Sequence, residues 1–191
     1  MFISQTGAQN VSTTVVKVGP KIGLNVSDFR KTQDYESVSM KLGENIGAVL
    51  NIRWGQRHLN SDVGTGYFGF QQEMLFSTQG ASVDGTPLKL NYFVVPMLLK
   101  FYATENANLE MGPQLAFMMS KPGLIDKEQY TYDLENLGAG KDIAFIVGFG
   151  YDFIEGLSIN ARYCMGLSEL AKNLPWKNNV FQISLSWLLT L

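Results

Sequence analysis

FQISLSWLLTL (181–191) alternates large apolar side chains with smaller, mostly polar ones. Phe181, Ile183, Leu185, Trp187, Leu189 and Leu191 share one parity, while Gln182, Ser184, Ser186, Leu188 and Thr190 share the other. A period of two places the first set on one face of an extended strand. What medium that face meets is decided by the rest of the chain.

Seven earlier runs repeat the pattern, at residues 15–27, 40–54, 67–78, 88–102, 109–120, 141–153 and 157–167. Turn-forming residues separate them, and no helical periodicity is left over. Each run is long enough for a tilted membrane strand of about 9–11 residues. The intervening segments alternate in length. Residues 104–106 and 154–156 are tight; 28–39, 79–87, 121–140 and 169–176 are longer; 56–65 is intermediate. Short turns at one end and long loops at the other are the pattern of an outer-membrane barrel. The expected fold is all-β: an eight-stranded, antiparallel, up-and-down transmembrane β-barrel with short periplasmic turns and longer extracellular loops.

Register adds detail. Phe153 and Leu157 must share a face, so an odd number of residues joins them, and Gly156 suits a left-handed bulge position. The same parity around 104–106 sets Lys100 directly opposite Glu110. Pro20, Pro96 and Pro113 lie inside runs and lack an N–H, so bulges or ladder gaps are expected there.

Three features turn the apolar face outward. The other face is rich in small residues, among them Gly19, Gly23, Gly47, Gly112, Ala116, Gly148, Gly150 and Gly166, which suit a narrow concave interior. The apolar face is bulky on every run, and its phenylalanines would overfill a barrel of eight strands. Charge also sorts by depth. Lys21, Arg53, Glu73, Lys100, Glu110, Asp142, Asp152 and Arg162 have inward parity, whereas the outward exceptions Glu44, Lys89, Lys141 and Lys177 fall at extracellular ends. Lipid enforces that distribution, because an outward midplane Lys or Arg costs about 2–4 kcal/mol. Gln72 and Thr78 are the polar residues left on the lipid side.

Composition agrees. Only 17% of the 191 residues are charged and the net charge is −2, which argues against a nucleic-acid partner. No apolar run is long enough for a membrane helix. The single Cys164 excludes an internal disulfide framework and a cysteine-based zinc site. Residues 1–9 read as a signal-peptide remnant or a disordered N-terminus, and 10–191 as the barrel.

FQQEMLFSTQG (70–80), YFVVPMLLKF (92–101), MGPQLAFMMS (111–120), KDIAFIVGFGYDF (141–153) and LSINARYCMGL (157–167) occur in that order. Together they resemble the outer-membrane β-barrel domain family to which PorT-like proteins belong, over nearly the whole chain from about Val15. The resemblance implies an eight-stranded barrel in the outer membrane of a diderm bacterium, a signal peptide, and insertion by the barrel-assembly machinery. That machinery usually reads an amphipathic last strand. This chain ends in Leu191 rather than an aromatic residue, with Trp187 the nearest aromatic. PorT-like members are associated with type IX secretion and gliding, which makes a protein partner in an envelope complex an expectation.

Candidate chemistry is sparse. His58 is the only histidine and falls in a periplasmic turn, away from the outer-leaflet substrate of lipid-modifying barrels, so a surface role outweighs a catalytic one. No catalytic or metal site and no cofactor is expected. The eight inward charges could line a path or bind a solute. A structural ion-pair network outweighs this, because eight strands leave a lumen just filled by side chains and Val94, Leu98 and Met118 also point in. Cys164 reads as a buried, inert thiol. Tyr130 and Tyr132 in the longest loop, with Trp176, are the candidates for extracellular contact. The expected protein is therefore a non-enzymatic outer-membrane barrel of structural, scaffolding or accessory type in contact with outer-membrane lipid. A lipid-modifying enzyme and a narrow small-solute channel are the alternatives.

Overall fold

The computed structural model describes residues 11–30, 38–57, 65–83, 86–120, 125–127, 130–132, 141–153, 156–168 and 177–191. Residues 1–9 and His58 lie outside them. The strands are β1 (Val11–Arg30), β2 (Val38–Arg57), β3 (Thr65–Val83), β4 (Thr86–Tyr102), β5 (Ala107–Ser120), β6 (Ile125–Lys127), β7 (Tyr130–Tyr132), β8 (Lys141–Asp152), β9 (Leu157–Gly166), β10 (Lys177–Trp187) and β11 (Leu189–Thr190). Each barrel strand pairs antiparallel with its neighbour in the order β10-β9-β8-β5-β4-β3-β2-β1-β11, and β10 also pairs with β1. β11 continues β10, so eight staves close into one antiparallel barrel with no sheet edge through the membrane. β6 and β7 form a separate hairpin between β5 and β8.

The apolar face points out. Ile183, Leu185 and Trp187 are exposed, as are Phe76, Phe117, Phe145, Val147, Phe149 and Ile159 on other strands. Trp54, Phe68, Phe101, Tyr151, Phe153 and Trp187 gather at the periplasmic ends, where aromatic side chains suit a membrane interface. Phe68 and Phe101 are direct cross-strand partners with ring centroids 5.6 Å apart. Ten residues beyond Trp54, Phe68 and Phe101 the outward positions are polar, at Glu44, Thr78 and Asn91, while Leu42 and Met40 further along β2 are exposed and apolar. That length of tilted strand spans roughly the 25 Å apolar band of such barrels.

The tight turns hold their expected registers. Lys100 pairs with Glu110. Phe153 N–H donates to the Leu157 carbonyl at 2.7 Å, and Gly156 has φ +84°, a left-handed conformation that glycine enters without a Cβ penalty. At the β4–β5 turn, the Thr104 hydroxyl accepts from Ala107 N–H at 2.8 Å.

The prolines interrupt pairing without shifting register. β3–β4 pairing lapses between Gln72↔Met97 and Leu75↔Val94, and β4–β5 pairing between Pro96↔Gln114 and Leu99↔Met111. Gln72, polar on the lipid side, donates to the Pro96 carbonyl at 3.1 Å and so covers the first gap. Pro20 keeps its pairing with Ala48, but on its other side pairing lapses between Lys21↔Ser186 and Val18↔Leu189, where the last strand breaks at Leu188. Leu188 N–H donates instead to the Gly156 carbonyl at 2.8 Å.

One expected loop is corrected. Residues 79–87 are almost all strand: Val83 pairs with Thr86, leaving only Asp84 and Gly85 between β3 and β4. Asp-Gly is a strong two-residue hairpin signal. This extracellular connection is consequently shorter than any periplasmic turn.

Candidate functional site

Five of the eight inward charges meet at the barrel axis: Lys21 of β1, Glu73 of β3, Lys100 of β4, Glu110 of β5 and Arg162 of β9, none more than 1% exposed. Side-chain alternation aims each inward, and small residues beside them leave room. Gly148 is one: a Cβ there would lie 2.7 Å from the Arg162 side chain.

Arg162 is the hub. Its Nη1 and Nη2 donate to Glu73 Oε2 and Oε1 at 2.8 and 2.7 Å, and its Nε and Nη2 both bond Glu110, the latter at 3.2 Å. The guanidinium of β9 thus grips two carboxylates, one from β3 and one from β5, a geometry that its planar fork favours. Lys21 Nζ donates to both oxygens of Glu73, at 3.0 and 3.1 Å. Lys100 Nζ donates to Gln71 Oε1 at 2.9 Å and stands 3.7 Å from Glu110. Gln71 also accepts from Asn51 at 3.1 Å and donates to Glu73. Three cations and two anions are thereby knit into one hydrogen-bonded body, which offsets the desolvation that isolated charges would suffer.

The other three inward charges lie elsewhere. Arg53, at the periplasmic mouth, donates to the Glu105 carbonyl at 2.9 Å and lies 3.8 Å above the Tyr102 ring. Asp152, also periplasmic, accepts from Ser158 at 2.7 Å. Asp142, at the extracellular end of β8, accepts from Ser168. Above the ion cluster, Leu98, Ile146, Cys164 and Val180 form a buried apolar layer. Val94 is buried with it, while Met118 is only half-buried. The lumen is filled by charge and then by hydrocarbon, as expected at eight strands.

A second constellation was not singled out in the sequence. β2 carries one extra residue between Met40↔Ala81 and Asn45↔Ser77, a bulge that breaks its pairing with β3. Gly43 sits so close to the Thr78 carbonyl that a Cβ there would collide with it. Asn25 of β1 spans the breach: its Nδ2 donates to the Glu44 carbonyl at 3.3 Å, the Thr78 carbonyl at 3.2 Å and Ser77 Oγ at 3.0 Å. Its Oδ1 accepts from Asn45 at 2.8 Å and from Gln182 at 3.3 Å. Ser27 does the same one step higher, donating to the Gly80 carbonyl at 2.7 Å and accepting from Gly80 N–H at 3.0 Å. Inward parity of Asn25, Ser27, Asn45 and Ser77 was the available signal, but the bulge that gives them work was not. Replacing Asn25 by Ala is expected to destabilise the barrel by about 1–3 kcal/mol, the cost of buried polar groups left unpaired. Amide hydrogen exchange should quicken at residues 43–45 and 78–80 while β8 and β9 stay protected.

Chemistry beyond hydrogen bonding is not assembled among the described residues. No cluster of His, Cys, Asp or Glu there could hold a metal ion. Cys164 is buried and free. Tyr130 and Tyr132 belong to β7, with their side chains outside the described set, and Trp176 lies outside it altogether.

The chain belongs to the outer membrane protein β-barrel domain family, whose model matches residues 7–172. Among solved structures it is similar to Ail, the attachment invasion locus protein of Yersinia pestis. The Ail complex with the heparin analogue sucrose octasulfate is 13% identical, with 91% of this chain and 99% of that one covered and a TM-score of 0.49. Ail without that ligand is 15% identical over 91% and 98%, with a TM-score of 0.46. Ail in a phospholipid bilayer nanodisc is 17% identical over 90% and 99%, with a TM-score of 0.44. No curated protein matches.

Proposed function

We propose that this integral outer-membrane barrel is a non-enzymatic structural or accessory component that docks in a larger envelope assembly. The observation that carries this reading is the filled lumen: Arg162, Glu73, Glu110, Lys21 and Lys100 close the axis, with the Leu98–Ile146–Cys164–Val180 layer above them. A body with a sealed interior and few reactive groups offers other molecules its outer wall and extracellular rim. The likeness to PorT-like proteins makes a secretion machine of the envelope the first assembly to test.

The test combines three measurements. Planar-bilayer recording of the purified barrel is expected to give no stable unitary current, and a steady conductance would favour the solute channel. Mass spectra of lipid A extracted with and without the protein are expected to match, and any acyl-chain change would favour an enzyme. Chemical crosslinking in native membranes followed by detergent purification is expected to return a stoichiometric protein companion. A barrel recovered alone would remove the accessory role.

A further inference from the structure

We infer that the periplasmic end of β1 is a strand-addition site, taken by an extended segment of a second polypeptide that pairs with the open backbone edge at Ser12 and Thr14. This rests on the reading that the barrel docks in an envelope assembly, and it names where the docking occurs. Residues 11–15 of β1 pair with residues 53–57 of β2 on one side. On the other side pairing stops at Lys17↔Thr190, with one further bond from Leu191 N–H to the Val16 carbonyl at 2.9 Å. From Ser12 to Val15 that edge faces no strand among the described residues. A strand rises about 3.4 Å per residue, so roughly 14 Å of β1 projects past the seam.

Parity says which groups are free. Along an antiparallel ladder, successive residues turn their N–H and C=O to opposite neighbours. The Leu191 bond shows that Val16 turns toward the seam. Thr14 and Ser12 therefore do the same, while Thr13 and Val15 turn toward β2. Native sheets blunt such edges with Pro, Lys or a bulge. Residues 11–16 read VSTTVV and contain neither Pro nor Lys, and their pairing with β2 runs without a register shift. The edge is left as a template rich in β-branched residues.

Geometry names the occupant. Donors and acceptors alternating along an extended backbone are matched by another extended backbone, the basis of β-augmentation. A second copy of the barrel cannot supply it. Two barrels in one membrane both run β1 outward and are related by an axis along the membrane normal. Strands tilted about 35–45° would then cross at about 70–90°, too steeply to share a ladder. The added strand instead belongs to another protein and arrives from the periplasm. It runs antiparallel to β1, end to end with β11, at the rim where Trp54 is the partner of Thr14.

The experiment places the full chain in nanodiscs and adds a fluorescein-labelled peptide, Thr-Val-Thr-Glu-Thr-Val-Thr with blocked ends. Anisotropy reads binding, and nuclear magnetic resonance reads amide exchange. In the barrel alone, the Ser12 and Thr14 amides are expected to exchange fast and those of Thr13 and Val15 slowly. Saturating peptide should slow Thr14 as well. Thr14→Pro removes the edge N–H where the ladder to β2 does not use it, a position at which a strand tolerates proline. It is expected to weaken binding about tenfold, whereas Thr14→Val, which keeps the N–H, should stay within about twofold of wild type. Gel mobility with and without heating verifies that each variant is folded. No saturable binding, equal binding by Thr14→Pro, or a Thr14 amide already slow in the barrel alone would each overturn the site. None of these readouts involves the native companion, so the site can fail while the crosslinking test succeeds, and the reverse.

Discussion

Glu73→Gln is expected to destabilise the barrel by about 3–5 kcal/mol, the penalty for breaking a buried ion pair on one side only. The amide keeps the shape and removes the charge. Glu73 accepts from Lys21, Arg162 and Gln71 at once, so its loss leaves three buried cations facing the single carboxylate of Glu110. Urea titration of the barrel refolded into liposomes, followed by tryptophan fluorescence, measures the change. Lys21→Met in the same chain should recover part of it, because one of the stranded cations is then gone. Additive losses in the double variant would show that Lys21 and Glu73 act independently, against the geometry.

Val147→Arg is expected to cost about 2–4 kcal/mol in the same titration, whereas Ile143→Arg should cost about 0–1 kcal/mol. Both residues belong to β8 and face outward, and both are exposed. Val147 lies midway along the strand and Ile143 near its extracellular end. Only a low-dielectric slab around the barrel makes depth matter for two otherwise similar positions. In a water-facing wall the two costs would be alike and small.

Much of the architecture was legible because a two-residue period is a strict rule. A face once assigned on any strand propagates along it, and turn parity carries it to the next. Lys100 opposite Glu110, and Gly156 at a left-handed position, followed from counting alone. What parity gives is side, not height. Arg53, Asp142 and Asp152 share the inward parity of Arg162 yet sit at the mouths, because strand tilt and stagger set which residues reach one level. Three features depended on information beyond the period. The Asp84-Gly85 connection was hidden by polar residues that read as loop but continue the strands. The β2 bulge lacks a distinctive residue; Gly43 marks it only once the Thr78 carbonyl is seen against it. The work of Asn25 follows from that bulge, so a reading confined to charges passed it by.

The interruption at Leu188 bears on the order in which the ring shuts. Leu188 is tied to the Gly156 turn nearby in sequence, while the facing contacts from Lys21↔Ser186 to Arg30↔Lys177 join opposite ends of the chain. Loop-closure entropy makes such distant pairings late. β8, β9 and β10 can therefore zip into a hairpin stack, with Leu188 already anchored, before β1 arrives to pair with β10 and β11. The small gap beside Pro20 then lies at the final joint, so a missing donor there leaves the earlier zippering untouched.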